Sequence, residues 1–342
     1  MDPIHGGGSL AWRLIRAITM AVSLVAMFPV GTSLAEPVIR SGTGLELVIP
    51  TAAQGSTDLL ARLLADRLSR EGMGEIQVRN MPGRSGTLAG AYVAGAIPDG
   101  RTLLLATPSS HGIASAFVAN MPYDPVRSFT PIVRFAAAPY LLVVKSGGAG
   151  SLAAFVDQAR NAHSQGREWR YASTGTGGPH HLVAEFYFQR AGLKLNHVPA
   201  AGGAAALAKL SDGSVEAMLP AAILALPKIK AGELKALAVT GTQRLKALPD
   251  VPTFTELGIS VDVESWYGLM APAGFPPAQA KVLAKTVRDI FSDPAMEAQL
   301  TTLATQATVE EGEAFANLVA LEVARWTALV TGLGIHSDVK GD

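Results

Sequence analysis

A chain of 342 residues, 49% of them hydrophobic, is long enough to bury more than one core, which excludes a small scaffold dependent on disulfides or metal. Its 28 basic and 28 acidic residues cancel, removing the electrostatic basis for binding nucleic acid or an acidic lipid surface. The absence of cysteine excludes disulfides, thiolate nucleophiles, Cys-type zinc sites and a lipid-modified cysteine anchor.

At the N-terminus, Arg13 and Arg16 precede an apolar stretch from Ala17 to Val30, and Ser33-Leu34-Ala35 places small residues where a signal peptidase reads. The stretch falls short of the roughly 20 residues a membrane span needs. It reads as a secretory signal occupying residues 1–35 and cleaved after Ala35, with an uncleaved anchor as the weaker alternative. No later segment reads as a span, so the mature chain is expected to be exported and not membrane-embedded.

The first element of the mature chain is LELVIP (Leu45 to Pro50), apolar almost throughout, as in a strand buried on both faces. A helix follows with Leu60, Leu63, Leu64 and Leu68 on one face, Ser56 or Thr57 as N-cap and Gly72 as stop. The unit recurs. EIQVRN (75–80) leads through MPGRSGTLAG into a small-residue helix over 87–95, and TLLLAT (102–107) leads through PSSHG into another helix. The second half repeats the pattern with WRYAST into GTGGPHH, LNHVPA into AGGAAALAKL, and SVEAML into PAAILALPKIKAG. Strands alternating with helices predict an α/β chain. The extended run TPIVRFAAAPYLLVVKSGG joins the halves and LKALAVTGTQR returns. Domain 1 is therefore expected to be discontinuous (36–136 and 245–342), with domain 2 inserted over 137–244.

Open parallel sheets bind ligands beyond the carboxyl ends of their strands, where all of these Ser/Thr/Gly loops fall. A helix N-terminus offers free amides and about half a positive charge, so small residues there make a carboxylate or phosphate receptor without Lys or Arg. Ordinary turn chemistry explains any single loop, but matching loops in both halves favour binding. Enzyme signatures are weaker. GTGGPH carries His180 where a dinucleotide fingerprint needs glycine, and a phosphate-binding G-x-x-x-x-G-K-[ST] loop is absent. His180 and His181 are adjacent, so they cannot share a helical face as metal ligands, and no G-x-S-x-G elbow localises a serine nucleophile. No metal and no cofactor is expected. Trp266 and Tyr267 read as core or hinge packing, Tyr123 as either packing or site, and Arg84 as a solvated guanidinium or a ligand clamp.

The motifs VIPTAAQGSTDLLARLLADRL, NMPGRSGTLAGAYVAGAIPDGRTLLLAT, MPYDPVRSFTPI, YASTGTGGPHHLVAEFY, LPKIKAGELKALAVTGTQR, LPDVPTFTELG and SWYGLMAPAGFP stand in a fixed order. From about Pro37 to Ile335 this order resembles the substrate-binding receptors of tripartite tricarboxylate transporters, the Bug receptors. The resemblance implies a periplasmic protein with a type II-like, two-domain binding fold: parallel or mixed sheets flanked by helices, closing on a small carboxylate in the interdomain cleft. It also implies delivery of that solute to membrane permease subunits. Carried onto matching positions, it singles out Ala53, Ser56 and Thr57 in the first loop, Ser110 and His111 after the third strand, and Ser173, Gly175 and Gly177, flanked by Thr174 and Thr176, in the inserted domain. His181 matches the family's recurring histidine. The departures bear on specificity: Gln54-Gly55 stands where two glycines are common, and Arg84-Ser85 where a small pair is usual. Ala200-Ala201 replaces a Tyr-Lys pair, and Pro220 takes the place of an acid. These changes suggest a less polar distal pocket. An accessory protein for a sensor kinase shares these features, and an exported serine hydrolase using Ser56 or Ser110 with a histidine is the enzymatic alternative.

Overall fold

The computed structural model describes residues 44–118, 120–259 and 263–333. The expected signal segment and its cleavage after Ala35 lie outside the described residues. Three βα units come first: β1 (Leu45–Ile49) and α1 (Ser56–Leu68), β2 (Ile76–Asn80) and α2 (Thr87–Ala94), β3 (Thr102–Ala106) and the short α3 (Ala114–Phe117). β1 pairs in parallel with both β2 and β3. Its apolar run is buried because α1 covers one face of the sheet and α2 the other. Leu47, Ile49 and Leu105 join Leu60 and Leu64 in one core, while Val48, Leu104 and Ala106 join Ala89 and Val93 in another.

The extended run expected between the halves is β4 (Phe129–Pro139) followed by β5 (Leu141–Lys145), so the chain changes sheets at Tyr140. The second sheet is then built with α4 (Leu152–Ser164), β6 (Arg170–Ser173), α5 (Pro179–Arg190), β7 (Asn196–Pro199), α6 (Gly203–Asp212), β8 (Ala217–Met218), α7 (Ala222–Lys230) and β9 (Leu234–Val239). The chain returns as β10 (Glu264–Pro272), α8 (Pro277–Phe291), α9 (Pro294–Thr302), β11 (Gln306–Glu311) and α10 (Gly312–Leu333). Strand order is β11-β4-β10-β3-β1-β2 in the six-stranded sheet and β7-β6-β8-β5-β9 in the five-stranded one.

Both sheets are mixed. β10 runs antiparallel to β3 and β4, and β5 antiparallel to β8 and β9, whereas β6 is parallel to β7 and β8. The carboxyl ends of β1, β2 and β3 therefore share one edge, and those of β6, β7 and β8 share another.

Two local readings change. The N-cap of α1 is Gly55 rather than Ser56 or Thr57, and the helix ends at Leu68, running into a wider turn over Ser69–Met73 in which Gly72 takes φ 85°. In addition, the stretch Gly312–Gly332 of α10 is long and apolar enough to cross a membrane by length and composition. Here it carries Phe315, Val319, Trp326 and Val330 into the protein's cores, the role of a packed amphipathic helix.

Candidate functional site

The loop from β1 to α1 ends at Gly55, which has no side chain with which to cap the helix. The first α-helical bond runs from the Leu59 amide to the Gly55 carbonyl at 3.0 Å. The amides of Ser56, Thr57 and Asp58 thus lie ahead of the helical ladder, at the positive end of α1. The loop is held from behind by Asp58. Its carboxylate accepts from the Gln54 amide at 2.9 Å, from Arg62 Nε at 3.0 Å and from Asn80 Nδ2 at 3.0 Å, and Asn80 Nδ2 also donates to the Thr51 carbonyl at 3.1 Å. Burial raises the carboxyl's pKa, but these hydrogen bonds outweigh it, so Asp58 stays ionised below the ordinary range.

Ala53 and Gln54 are exposed; Gly55 and Ser56 are half-buried; Thr57 is buried. Gln54 has φ 64°, Arg84 φ 49° and Ser85 φ 56°, left-handed backbone that favours glycine. The three positions where this chain departs from the small-residue pattern are therefore conformationally strained, and all lie at one sheet edge. A Cβ on Gly86 would sit 2.9 Å from Pro50 Cβ and 3.3 Å from Ser110 Cβ, so the loops after β1, β2 and β3 converge there.

Ser110 and His111 are both fully buried. Ser110 Oγ bonds the Thr107 carbonyl at 3.2 Å and lies 3.0 Å from His111 Nδ1, while Tyr123 donates its hydroxyl to the Ser110 carbonyl. His111 packs 5.0 Å from Phe129, and burial pushes its pKa down to about 3, leaving a neutral imidazole. This pair braces the third loop from inside, and a hydroxyl so enclosed is not presented to a solute as a nucleophile.

The loop after β6 has its own brace. Ser173 Oγ accepts from the Gly175 amide at 3.1 Å, bonds the Gly175 carbonyl at 2.9 Å and shares a 2.7 Å bond with His197 Nε2. The Gly177 amide donates to His181 Nδ1 at 3.0 Å, which places the His181 proton on Nε2. His181 stacks on His197 with ring centroids 3.9 Å apart, and Thr174 Oγ1 pairs with His180 Nδ1 at 2.7 Å. Burial pushes His180, His181 and His197 down to about 4 each, so all three are neutral near pH 7. Ser173 and His181 therefore shape the loop, while Thr174, Gly175 and Thr176 retain exposed surface.

The two sets of loops touch. Gly177, at φ 72°, lies so near Phe117 that a Cβ there would be 2.9 Å from the ring. Cavities of about 480 Å³ between α5 and α10, lined by Phe186 and Leu329, and of about 460 Å³ beside Leu245 and Ala304 lie away from these loops. The candidate site is marked by converging loops.

Residues 60–335 match the profile of the tripartite tricarboxylate transporter family receptors. The chain belongs to this family. Among curated relatives, the protein BugT of Bordetella pertussis is 26% identical over 324 residues, covering 93% of this chain and 98% of BugT. Among solved structures, an R. palustris protein with adipate is 31% identical, with a TM-score of 0.81, covering 86% of this chain and 99% of its own. MatC from Rhodopseudomonas palustris with bound malate is 28% identical, with a TM-score of 0.74, covering 84% and 98%. The fold is that of periplasmic solute-binding receptors of this type.

Within the receptor frame, the second sheet's edge is apolar where the departures fall. Ala200 is tied by its amide to the Ser173 carbonyl at 3.0 Å, and buried Pro220 accepts from the Leu141 amide at 3.0 Å. Stretches 174–178, 199–203 and 219–222 contain no charged residue. Sequence reading passed over His197, which meets Ser173 and His181 only because β6 and β7 pair with Tyr171 opposite His197. It also passed over Phe117 and Asn80 as partners of the loops.

Proposed function

We propose that this receptor captures a small carboxylated solute between the loops of its two sheets and delivers it to membrane permease subunits, without catalysing a reaction. The observation that carries this reading is the convergence of small-residue loops on the amide-rich start of α1, facing a second loop set through Gly177 and Phe117. Family membership and the adipate and malate in the two related structures support a carboxylate. The loops would hold it through backbone amides and hydroxyls, with Ala53 to Thr57 and Arg84 on one side and Thr174 to Thr176 on the other.

In this reading residues 36–136 with 245–342 form one lobe and 137–244 the other. They would close by hinge motion where the chain crosses at Tyr140, whose amide donates to Thr240 Oγ1 at 2.9 Å. Export by the signal segment places the mature protein in the periplasm. The uncharged second edge favours a solute whose end remote from the bound carboxylate is not an ammonium.

A thermal-shift screen of the exported protein, unfolded and refolded to remove carried solute, tests the reading against mono-, di- and tricarboxylates, aromatic acids and amino acids. Solute at 100 times its dissociation constant is expected to stabilise the fold by about 2.7 kcal/mol. Stabilisation by one carboxylate class supports the proposal. A folded protein indifferent to every carboxylate contradicts it.

A further inference from the structure

Tyr140 stands where the chain leaves the first sheet for the second, and it is buried. Its backbone is pinned to the end of β9: the Tyr140 amide donates to Thr240 Oγ1 at 2.9 Å, and the Thr240 amide to the Tyr140 carbonyl at 2.9 Å. The side chain meets both halves. Its ring lies edge-on to His180, with centroids 5.7 Å apart, and His180 Nδ1 pairs with Thr174 Oγ1 in the loop after β6. Its hydroxyl is hydrogen-bonded by Ser265 of β10.

Strand register accounts for the contact with Ser265. Ser265 pairs with Ala138 across β10 and β4, and side-chain alternation puts Tyr267, two residues on, on the same face as Ser265. Ala138, Tyr140 and Tyr267 accordingly share one core. Ser265 hydrogen-bonds both tyrosines, and Tyr267 is also met by the hydroxyl of Ser56, in the first turn of α1. Burial raises the pKa of both phenols, so each stays protonated and able to donate. Tyr140, Ser265, Tyr267 and Ser56 thus form a chain of hydroxyls from the crossing point to the first loop. Such a chain has two senses, because each oxygen donates to one neighbour and accepts from the other. An anion held at the start of α1 selects the sense in which every O–H points toward it, and each aligned bond polarises the next. The bond furthest from the anion, Tyr140 to Ser265, is the one at the crossing.

We propose that Tyr140 is a positioning residue that couples solute occupancy of the first loop to the hinge, acting through Ser265, Tyr267 and Ser56. This rests on the solute-receptor reading above, and it asks for no contact between Tyr140 and the solute. Phenylalanine keeps the ring against His180 and removes only the link to Ser265.

The test is a double-mutant cycle in the exported, refolded protein: wild type, Tyr140→Phe, Ser56→Ala and the pair together, each titrated calorimetrically with adipate, malate and hexanoate. Loss of one neutral hydrogen bond at the hinge is expected to weaken binding in Tyr140→Phe by about threefold to tenfold. With Ser56→Ala already in place the chain is cut, so adding Tyr140→Phe should weaken binding no further. A merely structural role for the phenol would give the same loss in both backgrounds, and that result overturns the coupling. Unchanged affinity in Tyr140→Phe overturns it too, and both results leave the receptor reading standing. Failure of wild type to bind any of the three acids overturns the carboxylate reading and the coupling with it. Should Tyr140→Phe not fold, Ser265→Ala takes its place in the cycle, with the same outcomes.

Discussion

Gly177 and Phe117 meet across the two sheets: the glycine, at φ 72°, leaves 2.9 Å between a would-be Cβ and the phenylalanine ring. One residue belongs to the loop after β6 and the other to α3, so their contact reports how closely the two loop sets approach. Gly177→Ala should impose both left-handed strain and a steric push. The expected result is weaker carboxylate binding, by roughly tenfold, with about 1–2 kcal/mol lost in urea unfolding. Relieving the push with Phe117→Leu in the same chain should recover part of the affinity. No recovery would mean that this contact does not govern loop approach.

Asp58 organises the first loop through its bonds to Gln54, Arg62 and Asn80. Asp58→Ala strands three donors at once and should cost about 2–3 kcal/mol in denaturant unfolding, with a matching loss of binding. Asp58→Asn, which keeps one acceptor oxygen, should cost less. Equal stability for Asp58→Ala and wild type would remove the brace.

Gln54 holds φ 64° without being a glycine. Left-handed backbone costs a non-glycine residue about 1–2 kcal/mol, and glycine returns roughly 0.5–1 kcal/mol of this as chain entropy. Gln54→Gly should therefore raise stability by about 0.5–1 kcal/mol, read as a higher melting temperature. A decrease would show that the Gln54 side chain makes contacts that outweigh the strain.

The neutral histidines set a pH response. Burial pushes His111 from 6.5 to about 3, and His180, His181 and His197 to about 4. Between those values and 6.5 the unfolded chain binds protons that the folded chain does not, so stability falls as pH drops from 6.5 toward 4 and is level for these groups above 6.5. Asp58 acts with the same sign lower down: its contribution is present above pH 3.8 and is lost as pH falls through its lowered value. Melting temperature measured across this range should fall steadily, and His111→Phe should flatten the slope. A melting temperature unchanged from pH 7 to 4 would contradict buried neutral imidazoles.

Much of the fold was legible because each βα unit writes itself locally: an apolar run, a small-residue turn, a leucine stripe. Strand direction was not. An extended run such as that ending in Ala136 to Pro139 looks alike in parallel and antiparallel pairing, so the mixed character of the sheets comes from where β4 and β10 find room beside β3. In the site, the loops were legible and the roles within them were not. Ser110, His111, Ser173 and His181 have the chemistry of ligand residues, yet Ser110 Oγ, His111 Nδ1, Ser173 Oγ and His181 Nδ1 are engaged within the protein, and His111 Nε2 is buried without a partner among the described residues. His197 lies far in sequence from the loop it serves, and only the strand register brings it close.

In the proposed function, the amide-rich loops recognise a carboxylate. The direct measurement is calorimetric titration of the refolded, exported protein with the carboxylate that stabilises it most, beside the corresponding carboxamide of the same shape. Saturable binding of one carboxylate per chain, with the carboxamide at least about a hundredfold weaker, is the predicted result. Equal binding of acid and amide, or no heat with either, would contradict it.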